Sequence, residues 1–159
     1  MQSQKRPLSS PGPFERMVEA AASKSIVDFL PGFFKRHPKL VKFRDVDMVD
    51  GGDGTARGTH PEAEVLPRKI VFYDKFWAQK DQKLRDWMVA HELGHWALHA
   101  TVGLSGIMDR VDLFNDLPFG QDSGEEAFAE CFASYFLDGD VQKKFPAWAS
   151  TVEFVYGKA

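Results

Sequence analysis

Cysteine is almost missing from this chain. Cys131 is the one cysteine in 159 residues, which excludes an internal disulfide. It lies in an apolar helical run and reads as a small core residue. No stretch approaches the ~18 consecutive apolar residues of a membrane span. The opening MQSQKRPLSSPGPF lacks the apolar centre of a secretory signal. A cytoplasmic, reducing setting is therefore expected, although delivery without a signal peptide, or association with a virion, would leave the same trace. Charge of one sign is also scarce. The net charge is −3 with both signs interspersed, so there is no electrostatic case for nucleic acid. The basic run Lys35-Arg36-His37-Pro38-Lys39 is short and reads as solvated surface. The loop Asp50-Gly51-Gly52-Asp53-Gly54 lacks the spacing and the closing glutamate of a calcium-binding EF-hand. There are no repeats and no low-complexity tract.

Aromatic residues are plentiful. Fourteen Phe and four Trp supply core material for one domain, which at this length buries about two-thirds of its unfolded surface. Residues 1–12, with Pro7, Ser9, Ser10 and Pro11, read as a loose arm, and residues 13–159 as the domain. Apolar spacing predicts a helix over 13–30, broken by Pro31-Gly32. Partial alternation predicts a strand over 40–49, and RKIVFYD a better one over 68–74. Residues 103–122 read as a loop whose many apolar groups point to a short helix or a pocket wall. Helices are expected over 123–138 and 146–156.

The most informative segment is DQKLRDWMVAHELGHWALHATV, residues 81–102. Its apolar groups follow a helical period. Asp81 is placed to cap its start and Gly103 to end it. Within it stands His91-Glu92-Leu93-Gly94-His95. On a helix, His91 and His95 share a face about 6 Å apart along the axis. Two imidazoles so placed can grip one zinc ion, and the carboxylate of Glu92 can reach a water on that ion. Gly94, costing up to about 1 kcal/mol in a helix interior, implies that another element approaches closely there.

A catalytic zinc takes three protein ligands and keeps one position open. The extended HExxHxxGxxH pattern is absent, since Thr101 stands where a third histidine would be and Leu98 where the glycine would be. A glutamate on a later helix is the other common supplier. The helix that starts near Ser123 carries Glu126 and Glu130 on one face, flanked by Ala129 and Ala133. Two carboxylates on a small-residue, buried face call for a cation. Asp122 with Glu125 makes one capping pair and Ser123 with Glu126 another. Glu126 is the favoured ligand, and Glu130 is then placed to accept a hydrogen bond from a ligand histidine.

HELGH followed by a glutamate-bearing helix resembles the gluzincin class of zinc metallopeptidases. Glu126-Ala127-Phe128-Ala129-Glu130-Cys131-Phe132 is similar to the ExFAExF motif of anthrax-lethal-factor-like domains, and HELGHWALH, with His99, to the ImmA/IrrE-type peptidases. The likeness covers residues 81–138. It implies an α+β, zincin-like minimal metallopeptidase domain, with a small mixed or antiparallel sheet packed on the HExxH helix and the glutamate-bearing helix. It implies one Zn2+ per chain held by His91, His95 and Glu126, with Glu130 behind them. Glu92 would act as general base on a zinc-activated water that attacks a peptide bond of a specific protein substrate. It also implies that an extended peptide pairs with an exposed sheet edge, here within residues 65–74 or near 55–60. The lethal-factor pattern places an oxyanion-stabilising tyrosine where this chain has Phe119, which leaves Tyr135, Tyr73, His99 and His60 as alternatives. The competing expectation is a non-catalytic structural, virion-associated or regulatory binding module in which zinc only stabilises the fold. Hydrolysis of a non-peptide amide is a weaker third.

Overall fold

The computed structural model describes residues 25–52, 62–66, 68–101, 117–121 and 123–159. Most of the expected N-terminal helix, His60, the 55–60 strand, Gly103 and most of the 103–122 loop lie outside the described residues.

Helix α1 spans Ile26–Arg36. It buries Ile26, Phe29 and Phe33, the i, i+3, i+7 stripe of an amphipathic helix. Pro31-Gly32 does not break it. Pro31 removes the bond to the carbonyl of Val27, but both residues are exposed, so water can serve that carbonyl. Arg36 in the last turn holds the helix to the rest of the chain. Its guanidinium donates two hydrogen bonds to Asp86, at 2.9 and 2.8 Å. The expected strand over 40–49 is mostly not a strand. A 3-10 helix occupies Pro38–Phe43, with Leu40 and Phe43 buried three apart, the period of that helix. Only Met48–Asp50 is extended, as β1.

Strands β2, Ala63–Leu66, and β3, Lys69–Phe72, complete a mixed three-stranded sheet of order β1-β3-β2. β1 runs parallel to β3, with Met48 opposite Ile70, and β2 runs antiparallel, with Ala63 opposite Phe72. β3 is central, and its continuous Ile70-Val71-Phe72 run is buried, as a strand covered on both faces requires. β2 lies at the edge.

A short helix α2, Asp74–Ala78, leads into α3, Gln82–Thr101. Asp81 caps α3 as expected, accepting from the backbone N–H of Lys83 at 2.8 Å and of Leu84 at 3.3 Å. Helix α4 spans Gly124–Leu137. It ends at Gly139, whose left-handed φ of 76° suits the C-terminal turn that returns its N–H to the Ser134 carbonyl. Helices α5, Asp140–Lys144, and α6, Pro146–Lys158, close the chain.

The described residues are thus of mixed α+β type around a shared core of Ile26, Phe33, Leu40, Phe72, Leu93, Phe128, Phe132 and Val152. Helices α3 and α4 cross at its centre. A Cβ on Gly94 would meet Phe132 Cβ at 2.9 Å and the Ala129 backbone at 3.2 Å. The close approach expected at that glycine is therefore real, and it brings the histidine-bearing face of α3 against the glutamate-bearing face of α4. Among the described residues no helix is long and apolar enough to cross a membrane.

Candidate metal centre

His91 and His95 stand one turn apart on α3, with ring centroids 4.8 Å apart. Glu126, in the first turn of α4, reaches both. Its Oε1 lies 3.2 Å from His91 Nε2 and its Oε2 2.9 Å from His95 Nε2. The two Nε2 atoms are 3.2 Å apart. Ligand atoms on a tetrahedral zinc shell are separated by about 3.3 Å. The trio therefore has the donor types and nearly the spacing of a three-ligand zinc site, and it forms the candidate metal-holding cluster among the described residues.

Local sequence explains the placement. Ser123 caps α4, its Oγ accepting from the backbone N–H of Glu126 at 3.2 Å. That fixes the first turn and aims Glu126 across at α3. Ser123 thus pairs with the Glu126 backbone; Asp122, the other expected capping residue, lies outside the described residues. Glu130, one turn on, accepts from His91 Nδ1 at 2.7 Å and from the Trp87 indole N–H at 2.9 Å. The Glu125 carboxylate accepts from His95 Nδ1 at 3.2 Å and from His99 Nε2 at 2.6 Å. Sequence spacing pointed to Glu130; Trp87 and Glu125 are additions from the structure.

The electrostatics follow from this crowding. Burial works against a charge on His91, but Glu126 and Glu130 outweigh it and push its pKa up to about 10. Burial and the neighbouring His91 charge hold His95 down. The His91 hydrogen bond keeps Glu126 well ionised. For Glu130, burial is overcome by the hydrogen bonds from His91 and Trp87. Without a metal, a proton on His91 supplies positive charge among these carboxylates. A divalent cation would supply more and would need no proton there.

These groups floor an open cleft of about 520 Å³. Glu92 lines it, and burial raises its pKa to about 7 despite the His91 charge beside it. A carboxyl near neutrality is suited to accept and return a proton at physiological pH. Edge strand β2 supplies another wall through Ala63, Glu64 and Val65, with Glu62 just before it. No lysine or arginine is among the described lining residues, so the cleft attracts cations.

The oxyanion alternatives separate. Tyr135 does not line the cleft; its hydroxyl donates to Glu153 at 2.7 Å, on the α6 side of α4. Nine residues from Glu126 on one helix, it faces the opposite way. Tyr73 is buried, and its hydroxyl donates to Glu64. His99 lines the cleft but is turned to Glu125. Phe119, with φ of 59°, packs edge-on against Phe145, ring centroids 5.1 Å apart. None of the described alternatives has a free donor aimed at the trio.

Compared with known proteins, the chain matches no family model, no curated protein and no solved structure.

Proposed function

We propose that this chain is a zinc metallopeptidase with a minimal, zincin-like domain of the gluzincin type. One observation carries the reading. His91 Nε2, His95 Nε2 and the Glu126 carboxylate converge from two helices at near-tetrahedral spacing, while Glu92, whose pKa is about 7, lines the same cleft. A purely stabilising site has no use for Glu92. Zinc, when bound, supplies a water of lowered pKa and polarises a carbonyl. His91, His95 and Glu126 hold the ion. Glu92 takes a proton from the attacking water and returns it to the leaving amine. β2 has no strand partner on its outer edge among the described residues, so an extended peptide can add there and lie along the cleft. The edge strand is Ala63–Leu66, only partly within the expected 65–74 range.

The test uses the full purified chain. Metal analysis should find about one zinc per chain, lost in His91→Ala. Glu92→Gln should keep zinc and fold while cleavage of a proteome-derived peptide library falls 10²–10⁴-fold. A wild-type chain that holds zinc yet cuts nothing in such a library would move the assignment to a non-catalytic, zinc-stabilised module. Zinc retained in Glu126→Ala but lost in Glu125→Ala would overturn the ligand set.

A further inference from the structure

The cleft beside the metal centre follows the edge of β2. A cavity lying on one face of a strand meets alternate side chains. This one is lined by Glu62, Ala63, Glu64 and Val65 in succession, so it runs along the edge and meets both faces. The pairing with β3 assigns the side chains. Ala63 is opposite Phe72 and Val65 opposite Ile70, and these residues belong to the core or pack against it, on the helix side. Glu64 is opposite Val71, and the Glu62 carbonyl accepts from the Tyr73 N–H. Both glutamates are therefore on the other face, where the Tyr73 hydroxyl donates to Glu64. In an antiparallel pair bonded at residues 62 and 64, the backbone groups of Ala63 and Val65 point outward.

Across the cleft, α3 brings Trp87 and Met88, one turn before His91. Both line the cleft and are partly buried against the core. With Val65 they make an apolar wall on the helix side. Glu62 and Glu64 make an anionic wall on the opposite face. A peptide paired to this edge turns successive side chains to opposite faces, each within about 5 Å of the β2 side chain it faces. We propose that the cleft selects an extended peptide in which basic and apolar residues alternate. Its lysine or arginine side chains lie against Glu62 and Glu64, and its aliphatic or aromatic ones against Val65, Met88 and Trp87. This rests on the strand addition proposed above and names the substrate class it would take. Charge alone would draw in any cation; walls of different chemistry on two faces add a demand for alternation.

The test uses the full purified chain and blocked octapeptides. One alternates Lys and Leu, and a second has the same composition with all Lys before all Leu. Two more alternate Glu with Leu and Lys with Ser. Binding is read in chelator, where cleavage plays no part. The alternating Lys/Leu peptide should bind about 10-fold more tightly than its block isomer, from two or more cross-strand contacts. Glu62→Lys should narrow the preference for Lys/Leu over Glu/Leu by about 10-fold. Met88→Ser should cost the Lys/Leu peptide about 10-fold and the Lys/Ser peptide less. Equal binding of the alternating and block peptides would overturn the proposal, as would a chain that binds none of them or a charge preference untouched by Glu62→Lys. If either variant does not fold, the wild-type chain with the peptide panel decides. Cleavage in the presence of zinc separates this proposal from the reading it rests on. Selective binding with no peptide cut would sink the metallopeptidase and leave the docking preference standing. Cutting without regard to alternation would sink the docking preference and leave the metallopeptidase standing.

Discussion

The two supports behind the histidines solve one problem in two environments. The Glu130 arm is set inward: its carboxylate is 21% exposed and its second donor is the indole of Trp87. The Glu125 arm is at the rim: its carboxylate is 34% exposed and its anchor, His99, is 51% exposed. Hydrogen bonds that water can replace contribute little to folding, while those it cannot replace are costly to break. The inner arm, with both donors set against the protein, should therefore couple metal affinity to stability more strongly than the outer arm, where only His95 is buried.

The largest effect bypasses the comparison. Glu126→Ala removes a carboxylate that touches both imidazoles, so zinc affinity should fall by more than the 10–100-fold expected of a supporting residue. The fold should survive, because Ser123 caps the helix through the backbone of residue 126 rather than its side chain. Zinc titration and circular dichroism check the two halves.

The next pair tests the comparison directly. Glu130→Ala should cost zinc affinity 10–100-fold. It should also cost about 1–3 kcal/mol of stability, since it strands the Trp87 N–H and His91 Nδ1–H. Glu125→Ala should cost similar affinity but less stability, because water can replace the carboxylate at half-exposed His99 although not at buried His95. Urea denaturation in chelator measures the stability of each. Equal stability losses would erase the distinction between the arms.

That asymmetry marks the limit of what the residues alone reveal. The i, i+4 pairs His91/His95 and Glu126/Glu130 were legible because the helical period is local and fixes which residues share a face. Gly94 with Ala129 and Ala133 told which faces meet. Glu125 was harder to read. With Asp122 it has the spacing of a capping pair, and only the contact with His95 across the helix interface shows its work. The same limit applies to Pro38–Phe43. Leu40 and Phe43 fit a half-alternating strand as well as a 3-10 turn, and tertiary burial decides between them. Edge strand β2 has only four residues and no pattern of its own. Its place depends on pairing with β3.

Glu92 belongs to neither arm, and pH separates it from them. Its folded pKa of about 7 lies above the ordinary 4.5 because of burial. Between those values the folded chain keeps a proton that the unfolded chain has lost. This group therefore makes stability fall as pH rises from 4.5 to 7. In the metal-free protein, Glu92→Gln should remove that loss. The variant should gain about 1–3 kcal/mol over wild type at pH 8, or roughly 2–4 °C in Tm per kcal/mol. At pH 4.5 it should gain little. Thermal melts at the two pH values decide; an equal gain at both would mean that Glu92 is not held protonated by its site.

The smallest effect concerns what the arms share. Both depend on the distance between α3 and α4, and Gly94 sets it. An added methyl at 2.9 Å from Phe132 Cβ and 3.2 Å from the Ala129 backbone cannot be absorbed by a flexible chain end. The helices must part by some tenths of an ångström. Overpacking of this kind costs about 1–3 kcal/mol, and alanine's better helix propensity returns up to about 1 kcal/mol. Gly94→Ala should therefore lose about 1–2 kcal/mol on urea denaturation. Its zinc affinity should fall too, although no ligand or support has changed, because Glu126 is carried away from both imidazoles together. A variant that binds zinc as wild type and gains stability would show that the interface has slack, and that each arm is positioned by its own hydrogen bonds rather than by the helix spacing they share.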